Sequence, residues 1–197
     1  MELLDSKTLL NLAKSYAGEC QARTRYNMIE YGATQQGFKA LADIIHDIAF
    51  NEFNHSRMFY SFIQTASDSV VKNIDVCSGY PFKEKWELLE NLKLAAEDET
   101  DEATKIYPEY EKTARKEGFD DIANLYKNII QVENCHSMLL TQLYGQMNGG
   151  TMYKQNKIVK WKCGDCGYEH EAKEADKICP LCQAKQGFFM LKIEDNA

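Results

Sequence analysis

Ile129-Ile130-Gln131-Val132-Glu133-Asn134-Cys135-His136-Ser137-Met138-Leu139-Leu140 is the stretch on which the fold turns. Ile122, Ile129, Leu140 and Leu143 recur at the three- and four-residue steps of one helix face, and Glu133 and His136 fall on that same face. A carboxylate and an imidazole one turn apart on a face that should be apolar cannot be buried without compensation. The arrangement occurs twice. In Ile48-Ala49-Phe50-Asn51-Glu52-Phe53-Asn54-His55, the apolar stripe is set by Leu41, Ile45, Ile48, Phe59 and Phe62, and Glu52 and His55 lie on it.

Working outward, residues 6–147 are rich in Leu, Ala, Glu, Lys and Ile and carry almost no strand signal. Gly37, the polar stretch 66–81 ending in Pro81, and Gly118 divide them into four expected helices at about 6–35, 38–65, 83–116 and 119–147. The connection 66–82 is too long for a tight helix hairpin and is expected to cross the bundle. Pro108 is expected to kink the third helix, because it removes a backbone donor and crowds the preceding turn. The first helix runs Leu9, Leu12, Tyr16, Glu19, Ala22, Tyr26 along one face, and the third Leu88, Leu92, Ala95, Glu99, Glu102, Ile106, Tyr110. In the crowded run Glu97-Asp98-Glu99-Thr100-Asp101-Glu102, helix phase selects Glu99 and Glu102 and leaves the others on a solvated face.

Five glutamates (Glu19, Glu52, Glu99, Glu102, Glu133) and two histidines (His55, His136) are thereby aimed at one core. No lysine shares these stripes, and Arg23 and Arg25 cannot neutralise five acids. Buried carboxylates must take up protons or recruit cations. Two Glu-x-x-His motifs from two helices, with glutamates from two others, are the pattern of ferritin-like carboxylate bundles, and oxygen and imidazole donors suit iron or manganese. Glu19 precedes Glu52 by 33 residues and Glu99 precedes Glu133 by 34, as two related helix pairs about a pseudo-twofold axis would give.

Composition changes after Gly149-Gly150. Ile-Val-Lys-Trp-Lys from Ile158, Tyr-Glu-His-Glu-Ala from Tyr168 and Phe-Phe-Met-Leu-Lys-Ile from Phe188 read as short strands, with the boundary between 148 and 157. Cys163-Gly-Asp-Cys166 and Cys179-Pro-Leu-Cys182 are two tight turns able to present four sulfurs to one tetrahedral ion. Zinc ribbons use the same spacing, so the turns alone leave iron and zinc open. Trp161, Tyr168, Phe188 and Phe189 are candidates for the small core around them.

The net charge of −7 with no basic run argues against nucleic acid as a partner, and no apolar stretch approaches the roughly 20 residues of a membrane helix. Met1-Glu2-Leu3-Leu4-Asp5 lacks the features of a signal peptide, so a soluble, cytoplasmic protein is expected. Seven cysteines cannot all pair within one chain, and a disulfide framework is not expected in that compartment. Cys20 and Cys135 adjoin candidate ligands but point about 100° away from them; with Met138 and Met147 they read as packing residues, and Cys77 is unassigned.

Taken together, the order of the two motif sets resembles the rubrerythrin family: a mainly α, ferritin-like bundle over 1–150, then a rubredoxin-like β/loop domain over 156–197. Cys163-Gly-Asp-Cys166-Gly-Tyr168 and Cys179-Pro-Leu-Cys182 are the rubredoxin-like turns, with fewer residues between the cysteine pairs than free rubredoxins have. The resemblance implies two irons bridged by Glu52 and Glu133, with Glu19 and Glu102 serving one and Glu99 and His136 the other. His55 would replace Glu102 on reduction, and Tyr26 and Tyr107 would hydrogen-bond around the centre. It also implies a peroxidase that reduces hydrogen peroxide to water for protection against oxidative stress. Its electrons would come from an NAD(P)H-dependent reductase or a rubredoxin, through an iron at Cys163, Cys166, Cys179 and Cys182. No G-x-G-x-x-G run is present, so the chain is not expected to bind the nicotinamide itself. About 11 residues, or ~16 Å at 1.5 Å per residue, separate His136 from the end of its helix. A head-to-tail homodimer is expected to shorten the electron path. A ferritin-like ferroxidase and a zinc-stapled scaffold are the competing expectations.

Overall fold

Local chemistry starts the first helix. Ser6 accepts the backbone N–H of Leu9 at 3.0 Å, an N-cap bond worth about 1 kcal/mol. Glu117 meets two further donors of that turn from far along the chain, accepting the N–H groups of Lys7 and Thr8 at 3.2 and 2.9 Å and the Thr8 hydroxyl at 2.6 Å. A carboxylate there also suits the positive end of the helix dipole.

The structure is a computed structural model that describes residues 2–77, 79, 81–83 and 86–191. Helices α1 (Lys7–Gln35) and α2 (Lys39–Gln64) form one antiparallel pair. Helix α3 (Leu88–Asp101), a π turn (Glu102–Ile106) and α4 (Tyr107–Glu117) form a continuous helical run that pairs with α5 (Asp120–Asn148). Gly118, at φ +89°, ends α4 in the left-handed conformation that a side chain would resist. No helix of the described residues is long and apolar enough to cross a membrane.

Residues 66–82 join the two pairs lengthwise. Val71, Ile74 and Val76 pack on the apolar cluster around Leu12, Phe59 and Tyr126, whereas Phe82 packs on the cluster around Ile29, Leu41 and Leu92. The segment therefore crosses from one end of the bundle to the other, and α2 and α3 run parallel. The third helix starts later than its composition suggests, at Leu88 rather than 83; Glu84 and Lys85 lie outside the described residues. Asn91 reaches back to accept the Lys83 backbone N–H at 2.8 Å and fixes the incoming chain.

Pro108 acts differently from expectation. It is the second residue of α4, directly after the π turn, and the irregularity lies in that turn rather than at the proline. That turn inserts one residue into the helical repeat. Ala103 within it and Tyr107 and Ala114 beyond it are buried, while Ile106, expected on the buried stripe, is 36% exposed and Tyr110 is half-buried.

After α5 the chain forms a three-stranded antiparallel sheet, β1 (Lys154–Cys163), β2 (Glu169–Glu174) and β3 (Phe189–Leu191), in the order β2-β1-β3. Lys192 and Ile193, expected to extend the last strand, lie outside the described residues. Trp161 and Phe189 are fully buried in its core with Cys163 and Cys179, and the Trp161 indole N–H donates to the Ala172 carbonyl at 3.2 Å. This module rests on the α1–α2 turn: Phe38 stacks on Tyr153 with ring centroids 6.3 Å apart. A Cβ on Gly187 would stand 1.6 Å from the Gly37 carbonyl oxygen, so only glycine permits this approach.

Candidate metal centres

The two apolar clusters of the bundle bracket a polar layer. Glu19 of α1, Glu52 and His55 of α2, Glu99 of α3, and Glu133 and His136 of α5 all lie in it, each no more than 4% exposed. Their donor atoms form two groups of four, Glu19, Glu52, His55 and Glu133 in one and Glu52, Glu99, Glu133 and His136 in the other, each within 4.8 Å. Glu52 and Glu133 belong to both. His55 Nδ1 lies 2.9 Å from Glu52 Oε2 and 2.9 Å from Glu133 Oε1. His136 Nδ1 lies 3.0 Å from Glu52 Oε1 and 2.8 Å from Glu133 Oε2.

Among the described residues, six of these buried donor atoms have no hydrogen-bond partner: Glu19 Oε2, Glu52 Oε1, Glu99 Oε2, both Glu133 oxygens and His136 Nδ1. They approach one another at ion-pair distance but out of hydrogen-bond alignment. Buried acceptors clustered this way suit cations at the centre of each group, and the oxygen and imidazole donors fit iron.

The donor set by itself limits its charge with protons. Burial pushes Glu19 well above the ordinary carboxylate range despite the nearby His55 imidazole. Burial, then the charge of Glu52, lifts Glu99 to about 8. Burial opposes ionisation of Glu52 too, but the close approach of His136 and the hydrogen bond with His55 outweigh it and hold Glu52 at about 2. Burial likewise disfavours both imidazolium ions. The close approach of the Glu133, Glu52 and Glu99 carboxylates nevertheless raises His136 to about 12, and that of Glu133, Glu19 and Glu52 raises His55 further.

Two tyrosines cross between the helix pairs. Tyr107 donates to Glu19 Oε1 at 2.5 Å, and Tyr26 donates to Glu99. The exchange is symmetric, yet Tyr26 follows Glu19 by seven residues and Tyr107 follows Glu99 by eight. The π turn supplies the extra residue, and the same residue accounts for the spacing of 34 against 33 between the glutamate pairs.

Six of the seven candidate bundle ligands are thus brought together. Glu102 stands apart in neither group: it opens the π turn, and its carboxylate lies beside Gly18, where a Cβ would be 3.8 Å from Oε1. It lines a cavity of about 130 Å³ with Lys14, Arg25 and Pro81. Burial, then the charges of Glu19 and Glu99, raises its pKa well above the ordinary value. Arg25 pairs with Asp98, and Arg23 lies over the Phe53 ring at 4.5 Å, so neither guanidinium enters the site. Asp98, expected on the solvated face, is half-buried by this pairing. Asn51, which was not singled out by phase, approaches His136 Nε2 with its side-chain amide at 3.2 Å. Its position next to Glu52 gave no signal of that contact.

Cys163, Cys166, Cys179 and Cys182 form the second cluster. Their sulfurs are 3.8 Å apart for Cys163–Cys182 and 3.7 Å for Cys166–Cys179. A tetrahedron with metal–sulfur bonds of about 2.3 Å has edges of about 3.8 Å, so the four sulfurs fit one ion. The two turns are built alike: the Cys163 and Cys179 N–H groups donate to the carbonyls of Tyr168 and Ala184, each at 2.8 Å. The remaining cysteines are free. Cys20 is half-buried, but Cys135 and Met138 are exposed rather than packed, because each points outward from α5 beside a ligand; Cys77 is exposed and Met147 packs partly on the core.

This fold and these donor sets define a ferritin-like carboxylate metalloprotein with a C-terminal four-cysteine metal module. The rubrerythrin family profile matches residues 11–144, and the profile of the rubrerythrin rubredoxin-like domain matches residues 161–190. The chain belongs to the rubrerythrin family. It is 36% identical to rubrerythrin of Clostridium perfringens over 187 residues, covering 95% of each chain. It is 32% identical to rubrerythrin of Porphyromonas gingivalis over 184 residues, covering 93% of this chain and 89% of the relative. Among solved structures, nigerythrin in a mixed-valence state superposes with a TM-score of 0.62 at 24% identity, covering 95% and 90% of the two chains. A mycobacterial bacterioferritin gives 0.63 at 19% identity over 74% of this chain and 87% of that one. At those identities the likeness is one of fold.

Proposed function

We propose that this protein is a non-haem di-iron peroxidase that reduces hydrogen peroxide to water, with electrons delivered through iron held by Cys163, Cys166, Cys179 and Cys182. The observation that carries the reading is the pair of buried four-donor groups sharing Glu52 and Glu133, on a chain that also bears a four-sulfur cluster. Two irons bound there would together supply both electrons that cleavage of a peroxide O–O bond needs.

The chain's own residues do the rest. Glu52 and Glu133 hold the two halves at a fixed separation, with Glu19 and His55 completing one and Glu99 and His136 the other. Tyr107 and Tyr26 fix the carboxylates of Glu19 and Glu99 through their phenolic hydrogens. The aliphatic layers around Leu12 and Ile45 keep bulk water from the site. Glu102, outside the groups and beside a cavity, is placed to carry a proton between solvent and the site at its carboxylate oxygen. The geometry has His55 within the groups and Glu102 outside, which favours the ligand exchange that the resemblance assigns to a reduced centre. The domain division at 150–156, a head-to-tail homodimer and an NAD(P)H-dependent reductase or rubredoxin donor belong to the same proposal.

The test is steady-state peroxide consumption by iron-loaded protein with a reduced rubredoxin as donor, beside anaerobic ferrous iron uptake. Peroxide turnover without mineral formation supports the reading; iron oxidation into a growing mineral with no peroxide turnover would favour a ferroxidase. Mixed dimers of a Glu52→Ala chain and a Cys179→Ser chain test the assembly. Recovered activity supports transfer between chains, and none argues against it.

A further inference from the structure

The two tyrosines that touch the carboxylate layer have different surroundings. Tyr26, bonded to Glu99, lies in the core cluster with Ala22, Ile29 and Ala33. Tyr107 opens onto a chain of phenols. Its ring centroid lies 5.6 Å from that of Tyr126 and 6.3 Å from that of Tyr110, and Tyr126 and Tyr110 are 5.8 Å apart. Phe59 packs against Tyr107 and Tyr126 at 5.8 and 5.1 Å and excludes water between them. Tyr126 also shares a buried hydrogen bond with Ser15 at 3.0 Å. Tyr110 is half-buried and meets solvent.

We infer that Tyr107, Tyr126 and Tyr110 form an electron-supply and radical-exit path from the Glu19 side of the centre to the surface. The inference rests on the di-iron peroxidase reading. Its use arises when peroxide meets a centre holding a single reducing equivalent. Two electrons are still required, and the missing one comes from the phenols. Tyr107 gives up the electron, and its phenolic proton passes along the existing hydrogen bond to Glu19 Oε1. As electrons shift inward from Tyr110, Tyr107 regains a proton from Glu19 and Tyr110 releases its own to solvent. In sum, hydrogen peroxide, one metal-held electron, the Tyr110 phenol and one solvent proton give two waters and a neutral Tyr110 radical. The oxidising equivalent ends where an external reductant can reach it, away from the ligands. Aromatic rings in van der Waals contact exchange electrons readily, and the tilted and edge geometries seen here are the ordinary ones for packed rings.

The experiment uses iron-loaded protein reduced by one electron per di-iron centre, mixed with one equivalent of hydrogen peroxide, frozen rapidly and examined by electron paramagnetic resonance. Metal reoxidation is followed in parallel by absorption. The expected result is a tyrosyl radical signal in the wild type and its loss in Tyr107→Phe. In Tyr110→Phe a radical should remain on the buried rings, but its quenching by added ascorbate should slow. Reoxidation without a tyrosyl signal would overturn the inference alone, as would an undiminished signal in Tyr107→Phe or unchanged quenching in Tyr110→Phe. If peroxide does not reoxidise the centre at all, the peroxidase reading falls and this inference falls with it.

Discussion

Glu52 on α2 and Glu133 on α5 are the two residues common to both four-donor groups. Removing either should therefore dismantle both halves, whereas removing a residue of one half should spare the other. Metal analysis of the bundle is expected to fall from about two ions to about none in Glu52→Ala or Glu133→Ala, and to about one in Glu19→Ala. Equal loss in all three would remove the argument for sharing.

The protons on the donor set predict a pH dependence. Glu99 titrates at about 8 in the fold against an ordinary 4.5. Its contribution is fully present below the ordinary value and is lost as pH rises through 8. His136, raised to about 12 from 6.5, follows the same sign over a higher window. Glu52, lowered to about 2, contributes above 4.5 and loses that only as pH falls toward 2. Metal-free protein should thus lose stability as pH rises from about 5 to 8, while iron binding, which displaces those protons, strengthens over the same range. Melting temperatures of both forms across it should diverge; a constant gap would contradict the assignment.

Gly187 sets the seat of the cysteine module on the α1–α2 turn. Gly187→Ala cannot keep the contact with the Gly37 carbonyl, and the strain of overpacking is about 1–3 kcal/mol. The module should lift from the turn while retaining its metal. Limited proteolysis near 149–153 should accelerate in this variant with the visible spectrum of the cysteine site unchanged; unaltered cleavage would show that the seat tolerates a side chain.

The cysteine cluster and the carboxylate layer use separate residues, so their losses should separate as well. Cys179→Ser removes one of the two fully buried sulfurs. The metal content per chain should fall by about one ion, with the bundle's helical signal and its own metals retained. Loss of the bundle metals in this variant would show that the two sites fold together.

The donor layer was legible because Glu-x-x-His occurs twice in phase with apolar residues on either side, as Ile129 and Leu140 flank Glu133 and His136. The long crossing segment was legible from its length and polarity. The π turn was not: it needs no special residue, and its sequence trace is a single extra position between Glu99 and Tyr107. Because the helical phase was continued unbroken past Glu102, Ile106 was misplaced and the burial of Ala103 was missed, while Tyr107 was reached only through the family resemblance. Glu102 was aimed into the layer by the same phase and belongs to neither four-donor group. Cys135 and Met138 were misjudged for a simpler reason. They are apolar or nearly so, and their helix turns them to solvent beside ligands that face inward.

The most direct measurement is a single anaerobic titration. Iron-loaded protein, fully reduced and free of excess reductant, receives hydrogen peroxide stepwise while absorption reports the di-iron and cysteine sites separately. One peroxide per di-iron centre should reoxidise that centre completely and yield water without hydroxyl radical. A di-iron centre that stays reduced in the presence of peroxide would contradict the account.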